Sequence, residues 1–439
     1  MQRGESMQKT EQATFYGRLL EGYKPELSHS GVSGERIARR LSELSNIGLQ
    51  ESGGVTRSGY SLLEKQAKEL VISWMEDAGL FVTVDGAGNV FGKLRGKSDG
   101  PSIISGSHLD SVPNGGHFDG PLGVLSALEV VESWKEQGYA PEKPYEVVIF
   151  SDEEGSRFKS GLTGSRAFTG QTSPDLLKGL VDENALTFDE VINEYGSSFD
   201  KYIDARNHGR EIELFVEVHI EQGKILERED EPVGIVSGIA GPAWLEVIFM
   251  GEAGHAGNTP MVGRKDPLVA AGMFLQEVER LPGKVSETAV ATVGRINVSP
   301  NGVNVIPQEV YMFTDIRDIH EETRDRLVEM VRKKAEAVAT ERSIEVRTSC
   351  NTQITPMPIA QQLQEQLVKA VRKVGIKPVF IPSGAGHDAM IVGEKYPAAM
   401  LFVRSKDGIS HNPLEWSSLN DCVYGVHTLK AFIEDVMKG

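Results

Sequence analysis

The sequence predicts an α/β fold: a domain with a mostly parallel sheet flanked by helices, interrupted by an inserted α+β domain. Three observations predict it. Strand and helix patterns alternate from Ser33 to Ile235, the mark of a largely parallel sheet. After Ile235 the texture changes to alternating strand patterns with two helical stretches, and from about Glu345 the strand and helix alternation returns. The chain therefore divides into 1–235 with 346–439, which share one sheet, and 236–345 inserted between them. A length of 439 residues independently favours two domains over one core.

From Ser33, RIARRLSELSNIG reads as an amphipathic helix with Gly48 as its stop. Tyr60 to Ala78 repeats apolar residues at helical spacing and ends at Gly79. FVTVDGAGNVFGKL reads as a hairpin through DGAGN, and PSIISGSH as a buried strand. Residues 121–137 are helical, 145–150 form the next strand, and the more polar 170–210 stretch reads as helices and loops. LFVEVHIEQG is a strand ending in the polar cluster His219, Glu221 and Gln222. In the insertion, WLEVIFMGE, ATVGRINVS and VYMFTDIRD are strands and 265–281 and 321–341 are helices. A helix over 360–374, the strands KPVFIPSG and AMLFVRS, and a final helix complete the first sheet.

Composition excludes several classes. The balance of 46 basic to 63 acidic residues gives a net charge of -17, which argues against nucleic acid or an anionic membrane as partner. The first residues, MQRGESMQKTEQ, lack an apolar core, and no run of about 18 apolar residues occurs, so secretion and membrane spanning are both disfavoured. Met7 is an equally good start. Cys350 and Cys422 are the only cysteines and show no CxxC spacing, which fits a reducing, cytoplasmic location.

The chemistry concentrates between Ser105 and Phe158. GSHLDSVPNGGHFDG, the apolar run YEVVIF and SDEEGSRF place His108, Asp110, Asp119, Glu153 and Glu154 at ends of predicted strands, where open α/β sheets bind ligands. Imidazole and carboxylate without thiolate suit Zn, Mn, Co or Ni, and a carboxylate such as Asp119 can bridge two ions. Gly115, Gly116 and Gly120 allow sharp bending around Asp119. Glu153 and Glu154 are adjacent, so on extended backbone one ligates metal while the other reaches across as a base. Solvated loop charges would explain any one of these residues, but not five at strand ends.

Four further clusters carry histidines beside small or polar residues: VEVHIEQG with His219, EAGHAGNTPM with His255, SGAGHDAM with His387, and DGISHNPLEWS with His411. In the insertion, Arg317 offers a planar fork matched to a carboxylate, against the competing reading of an ion pair with Asp315 or Asp318. His29, His117, His208, His320 and His427 lack such surroundings and read as structural or surface residues.

Taken together these motifs resemble the M20-type di-metal amidohydrolases, in the branch of N-carbamoyl-L-amino acid hydrolases, allantoate amidohydrolases and β-ureidopropionases. The resemblance runs from about residue 33 to 435. It implies His108, Asp119, Glu154, His219 and His411 as ligands of two divalent ions, with Asp119 bridging. It further implies Glu153 as general base, Asp110 orienting His108, and His255 stabilising an oxyanion. Gln222, Asn304, Arg317, Gly386 and His387 would contact a small ureido substrate bearing a carboxylate. A histidine at 219, where the peptidase branch usually has a carboxylate, points to ureido substrates rather than peptides. The implied fold is a catalytic domain with an inserted lid that dimerises, and the implied reaction is hydrolysis of N-carbamoyl-L-amino acids, with allantoate as the alternative substrate.

Overall fold

The computed structural model describes residues 14–206 and 210–438. Met7 and His208, singled out above, lie outside the described residues. The chain forms two compact units: residues up to 236 with 359–381 and 387 onward, and residues 237–358 with 382–386.

The first unit is built on β1 (Phe81–Val84), β2 (Val90–Leu94), β3 (Ser102–His108), β4 (Tyr145–Phe150), β5 (Ile212–Ile220), β6 (Val233–Ile239) and the late strand β15 (Ala398–Val403), in the order β1-β2-β4-β3-β5-β15-β6. Neighbouring strands among β4, β3, β5 and β15 are parallel, while β1, β2 and β6 pair antiparallel at the two edges. The sheet is thus mixed, with a parallel centre. The β1 to β2 connection explains one edge: Asp85 accepts the amides of Ala87 and Asn89 at 2.9 Å, closing a turn too short for a parallel crossover.

Every residue of β3 and β4 is buried, so both faces of the sheet need cover. Helices α1 (Gly34–Ser45), α2 (Leu62–Asp77) and α3 (Pro121–Gln137) supply part of it. The first two begin at hydroxyl caps, Ser33 accepting from the Arg36 amide and Ser61 from the Glu64 amide. Leu128, Val131 and Trp134 of α3 join Val426, Leu429 and Phe432 of the last helix in one apolar cluster.

The second unit contains β7 (Gly241–Met250), β8 (Gly254–His255), β9 (Val290–Ser299), β10 (Val305–Ile306), β11 (Glu309–Asp318), β12 (Glu345–Gln353) and β13 (Met357–Pro358). Four of these form an antiparallel sheet, β12-β7-β11-β9. Ala243, Leu245, Val247 and Phe249 alternate along β7 onto one face, where α4 (Pro267–Arg280) contributes Phe274 and α5 (Glu321–Arg342) contributes Leu327 and Val331. The chain stays in this unit to 358 rather than leaving it at 345, because β12 pairs with β7 from Glu345↔Met250 onward. A strand pattern states that a segment is extended, not which sheet receives it.

Helix α6 (Gln361–Lys373), β14 (Phe380–Ser383), α7 (Asp388–Gly393), β15 and α8 (Leu419–Val436) follow, β14 pairing with β6. Among the described residues no helix is long and apolar enough to cross a membrane. Both cysteines are free thiols.

Candidate active site

The carboxyl ends of β3, β4 and β5 converge in the first unit. His108 closes β3, Glu153 and Glu154 follow β4, and His219 sits at the end of β5. Asp119 immediately precedes α3, and His411 lies in the loop between β15 and α8. Two groups of three side chains result, each with ligand atoms within 4.8 Å of one another: His108, Asp119 and His219, and Asp119, Glu154 and His411. Asp119 belongs to both. Its Oδ1 lies 3.0 Å from His219 Nε2 and 3.7 Å from His108 Nε2, and its Oδ2 lies 3.4 Å from His411 Nε2. Glu154 Oε2 is also 3.4 Å from His411 Nε2.

Hydrogen bonds at the other ring nitrogen aim the imidazoles. His219 Nδ1 lies 2.9 Å from the Ile220 carbonyl and His108 Nδ1 lies 3.1 Å from the Asp110 carbonyl, so each donates there and leaves Nε2 as a lone pair toward Asp119. His108 Nε2 is buried and has no hydrogen-bond partner. An orphaned acceptor facing carboxylates at 3.7 Å fits a cation between them.

Asp110 fixes both glutamates, accepting the Glu153 amide on Oδ1 and the Glu154 amide on Oδ2, each at 3.1 Å. The backbone there is not extended. β4 ends at Phe150 and Asp152 takes a left-handed φ of 51°, so Glu153 and Glu154 do not splay apart as an extended strand would require. Glu153 Oε2 comes within 3.7 Å of His108 Nε2 while Glu154 faces His411, and both reach the cluster.

Electrostatics follow from burial and crowding. Burial pushes Glu153 well above the ordinary carboxylate range and Glu154 up to about 7. Burial opposes charge on His108, but Glu153, Asp110 and Glu154 outweigh it and hold its pKa well above the usual value. Against burial, His219 and His411 hold Asp119 well below the usual carboxylate range. The hydrogen bond to Asp119 raises His411 to about 9.

Glycine makes the packing feasible at Gly120, whose φ is +82° and where a Cβ would strike the His108 ring. Gln222 donates from Nε2 to Asp119 Oδ2 at 2.7 Å, which places it at the cluster. Glu221 instead accepts the amides of Ile225 and Leu226 and caps the next turn. His387 is buried with its ring 4.4 Å from that of His219, and burial holds its pKa well below the usual value. Three contributors escaped the sequence reading. Buried Arg57 donates to the Leu109 carbonyl at 2.7 Å behind the β3 turn, and Ser410 and Glu415 contact Asp119 directly. Ser410 and Glu415 stand in the same DGISHNPLEWS motif as His411.

The remaining residues belong to the second unit. The β8–β10 ribbon pairs His255 with Val305, and the Ala256 amide donates to the Asn304 carbonyl at 3.0 Å, so His255 and Asn304 are neighbours. His255 Nδ1 accepts the amides of Gly257 and Asn258, both at 3.1 Å, which leaves a neutral ring's proton on Nε2. Arg317 forms a two-pronged pair with Asp315, both contacts 2.8 Å, and donates Nη1 to the Gly384 carbonyl. The ion-pair reading of Arg317 is therefore what this unit displays. Gly386 is exposed. Of the histidines set aside, His117 and His427 are buried, each with Nε2 2.9 Å from a backbone carbonyl, of Gly53 and Leu27, and His29 stacks on His427 at 4.1 Å.

Two ligand triads sharing one carboxylate, set at the ends of parallel strands, define a metal-dependent hydrolase of the α/β class. Residues 104–435 match the family described as peptidase family M20/M25/M40, and the chain belongs to that family. It is 41% identical over 409 residues to an N-carbamoyl-L-amino acid amidohydrolase of Geobacillus stearothermophilus, covering 93% of this chain and 100% of the relative. An allantoate amidohydrolase of Bacillus subtilis (strain 168) is 36% identical, with 88% and 93% covered. Among solved structures, a hydantoinase/carbamoylase family amidase from Burkholderia multivorans superposes with a TM-score of 0.86 at 34% identity, covering 92% of this chain and 98% of that one.

Proposed function

We propose that this chain hydrolyses the ureido C–N bonds of N-carbamoyl-L-amino acids, releasing the L-amino acid, carbon dioxide and ammonia. The observation that carries the reading is the shared Asp119 between two triads, one of them completed by His219. The 41% identical amidohydrolase supports the substrate class. His108, His219 and Asp119 would hold one divalent cation, and Asp119, Glu154 and His411 a second. Mn, Co, Zn and Ni all suit this nitrogen and oxygen donor set. Bound there, the ions supply Lewis acidity that brings water into range as a nucleophile near neutral pH.

The protein's own groups do the rest. Glu153, buried and with a raised pKa, takes the proton of the attacking water and returns it to the departing nitrogen as the C–N bond breaks. Asp110 holds the Glu153 and Glu154 amides, fixing base and ligand together. His255, with its proton on Nε2, donates to the oxygen that gains charge at the carbamoyl carbon. Arg317 would anchor the substrate carboxylate by exchanging Asp315 for it, Asn304, Gly386 and His387 are the other substrate contacts this reading assigns, and Gln222 stands at Asp119 Oδ2.

Two further assignments accompany the reading. β9 is an edge strand of its sheet with Val290 and Ile296 exposed, and α4 exposes Leu268, Val269 and Leu275, which favours a homodimer through this unit that light scattering would register. Two free thiols favour a reducing cytoplasm.

The test is ammonia release by metal-stripped protein reloaded with Mn or Co, offered N-carbamoyl-L-methionine, its D enantiomer, allantoate, N-carbamoyl-β-alanine and a dipeptide. Turnover of the L compound, abolished by chelator, is expected. Turnover of allantoate alone would move the chain to the second reading, which the 36% identical allantoate relative keeps in view. Release of amine from the dipeptide alone would overturn both.

A further inference from the structure

The bridging carboxylate is held by a device outside both triads. Glu415 is 2% exposed, and its Oε1 accepts the amides of Phe118 at 2.9 Å and Asp119 at 3.1 Å. Its Oε2 lies 2.9 Å from Ser410 Oγ, which is 2.7 Å from Asp119 Oδ2. Glu415 thus holds Asp119 directly at its main-chain nitrogen, and the Ser410 hydroxyl, with one proton to give, stands between the two carboxylates. The space for this carboxyl exists because residue 116 is glycine, where a Cβ would overlap the Glu415 carboxyl group.

The grip has a geometric result. Asp119 Oδ1 faces His219 and His108, while Oδ2 faces His411 and takes the Ser410 contact. Turning the carboxyl plane out of this orientation would take Oδ2 away from His411 and Oδ1 away from the other two rings, and a carboxylate shared by two ions has to hold that plane. Gln222 also donates to Oδ2, but its flexible side chain reaches only that atom and Ser410, not the Asp119 backbone.

We infer that Ser410 and Glu415 are positioning residues that lock Asp119 in its bridging orientation, and that they act chiefly on the ion held by Asp119, Glu154 and His411. The inference rests on the two-ion reading above. Because Oδ2 is the gripped oxygen, loss of the clamp should fall on that ion first.

The experiment is calorimetric titration of metal-stripped full-length protein with Mn2+, the ions being assigned by His411→Ala, which removes one of them. Ser410→Ala is expected to weaken the His411 ion about tenfold or more while the other stays within about threefold, the scale set by groups that orient metal ligands. Gly116→Ala, which displaces the Glu415 carboxyl, should do the same, and so should Glu415→Leu. Glu415→Gln should retain both ions, because an amide oxygen still accepts the two backbone N–H groups and its NH2 still meets Ser410. Should Glu415→Leu fail to fold, Ser410→Ala and Gly116→Ala decide. Unchanged affinities in those two variants, or equal weakening of both ions, overturn the clamp and leave the hydrolase reading standing. A wild-type protein that takes up fewer than two ions overturns the two-ion reading and the clamp with it.

Discussion

At the scale of single residues, position separates the candidate ligands from the base. Glu153 and Glu154 are adjacent, yet Glu154 faces His411 across 3.4 Å and Glu153 stands 3.7 Å from His108, free of the Asp119 triads. Glu153→Gln should therefore lower kcat by about a hundred- to ten-thousandfold while two ions still bind, which turnover and metal analysis check together. Protons and metal compete for the other groups. In the metal-free chain His411 sits at about 9 and Glu154 at about 7, and both must lose a proton to ligate. The loaded form holds fewer protons, so affinity rises with pH: His411 contributes between pH 7 and 9, Glu154 adds below 7, and His108 and His219, both held above the usual value, add to the dependence. Calorimetry in buffers of different ionisation enthalpy should register that proton release. The five residues that form the two candidate triads could be picked out in the sequence, because each sits in a short polar motif near an apolar run. Ser410 and Glu415 could not. Glu415 and Asp119 are 296 positions apart, and a contact at that distance leaves no trace in local spacing.

At the scale of elements, parallel strands bring the ligands together and tight turns set their angles. Gly120 joins the β3 loop to α3 with φ +82° against the His108 ring. Gly120→Ala should cost about 1–3 kcal/mol in a denaturant titration from the strained φ, and should weaken metal binding by displacing the imidazole. An equivalent change at Gly79, with φ +91° and no atom within 4 Å of an added Cβ, should cost stability alone. Most elements could be read from periodicity, including 121–137 and 145–150, which match α3 and β4 to the residue. What periodicity could not supply was partnership. β12 reads as a strand in either sheet until its pairing with β7 is known, and while DGAGN marks β1 and β2 as a hairpin, nothing local marks β6 as antiparallel to β15.

For the molecule as a whole, two units with separate apolar clusters imply two unfolding transitions. All five ligands lie in the first unit, so only its transition should respond to metal. An ion at 100 times its Kd stabilises its host by about 2.7 kcal/mol, and scanning calorimetry with and without Mn2+ should show one transition move and the other stay. A single transition, or two that move together, would show the units unfold as one.

The interrupted chain also orders events during synthesis. Strand β5 lies between β3 and β15, and β15 is translated about 180 residues after β5, a wait of roughly 10–40 s at ordinary ribosome speeds. Most of the second unit, 237–358, precedes β15, and its remaining segment, 382–386, is made shortly before it. The first unit, begun earlier, must keep that flank of β5 uncovered until β15 emerges. His411 follows β15, so a nascent chain lacks the full set of candidate ligands until after that strand is made. Truncation between the second unit and β15 would leave a polypeptide with one finished unit and an open sheet, a natural substrate for chaperones and proteases.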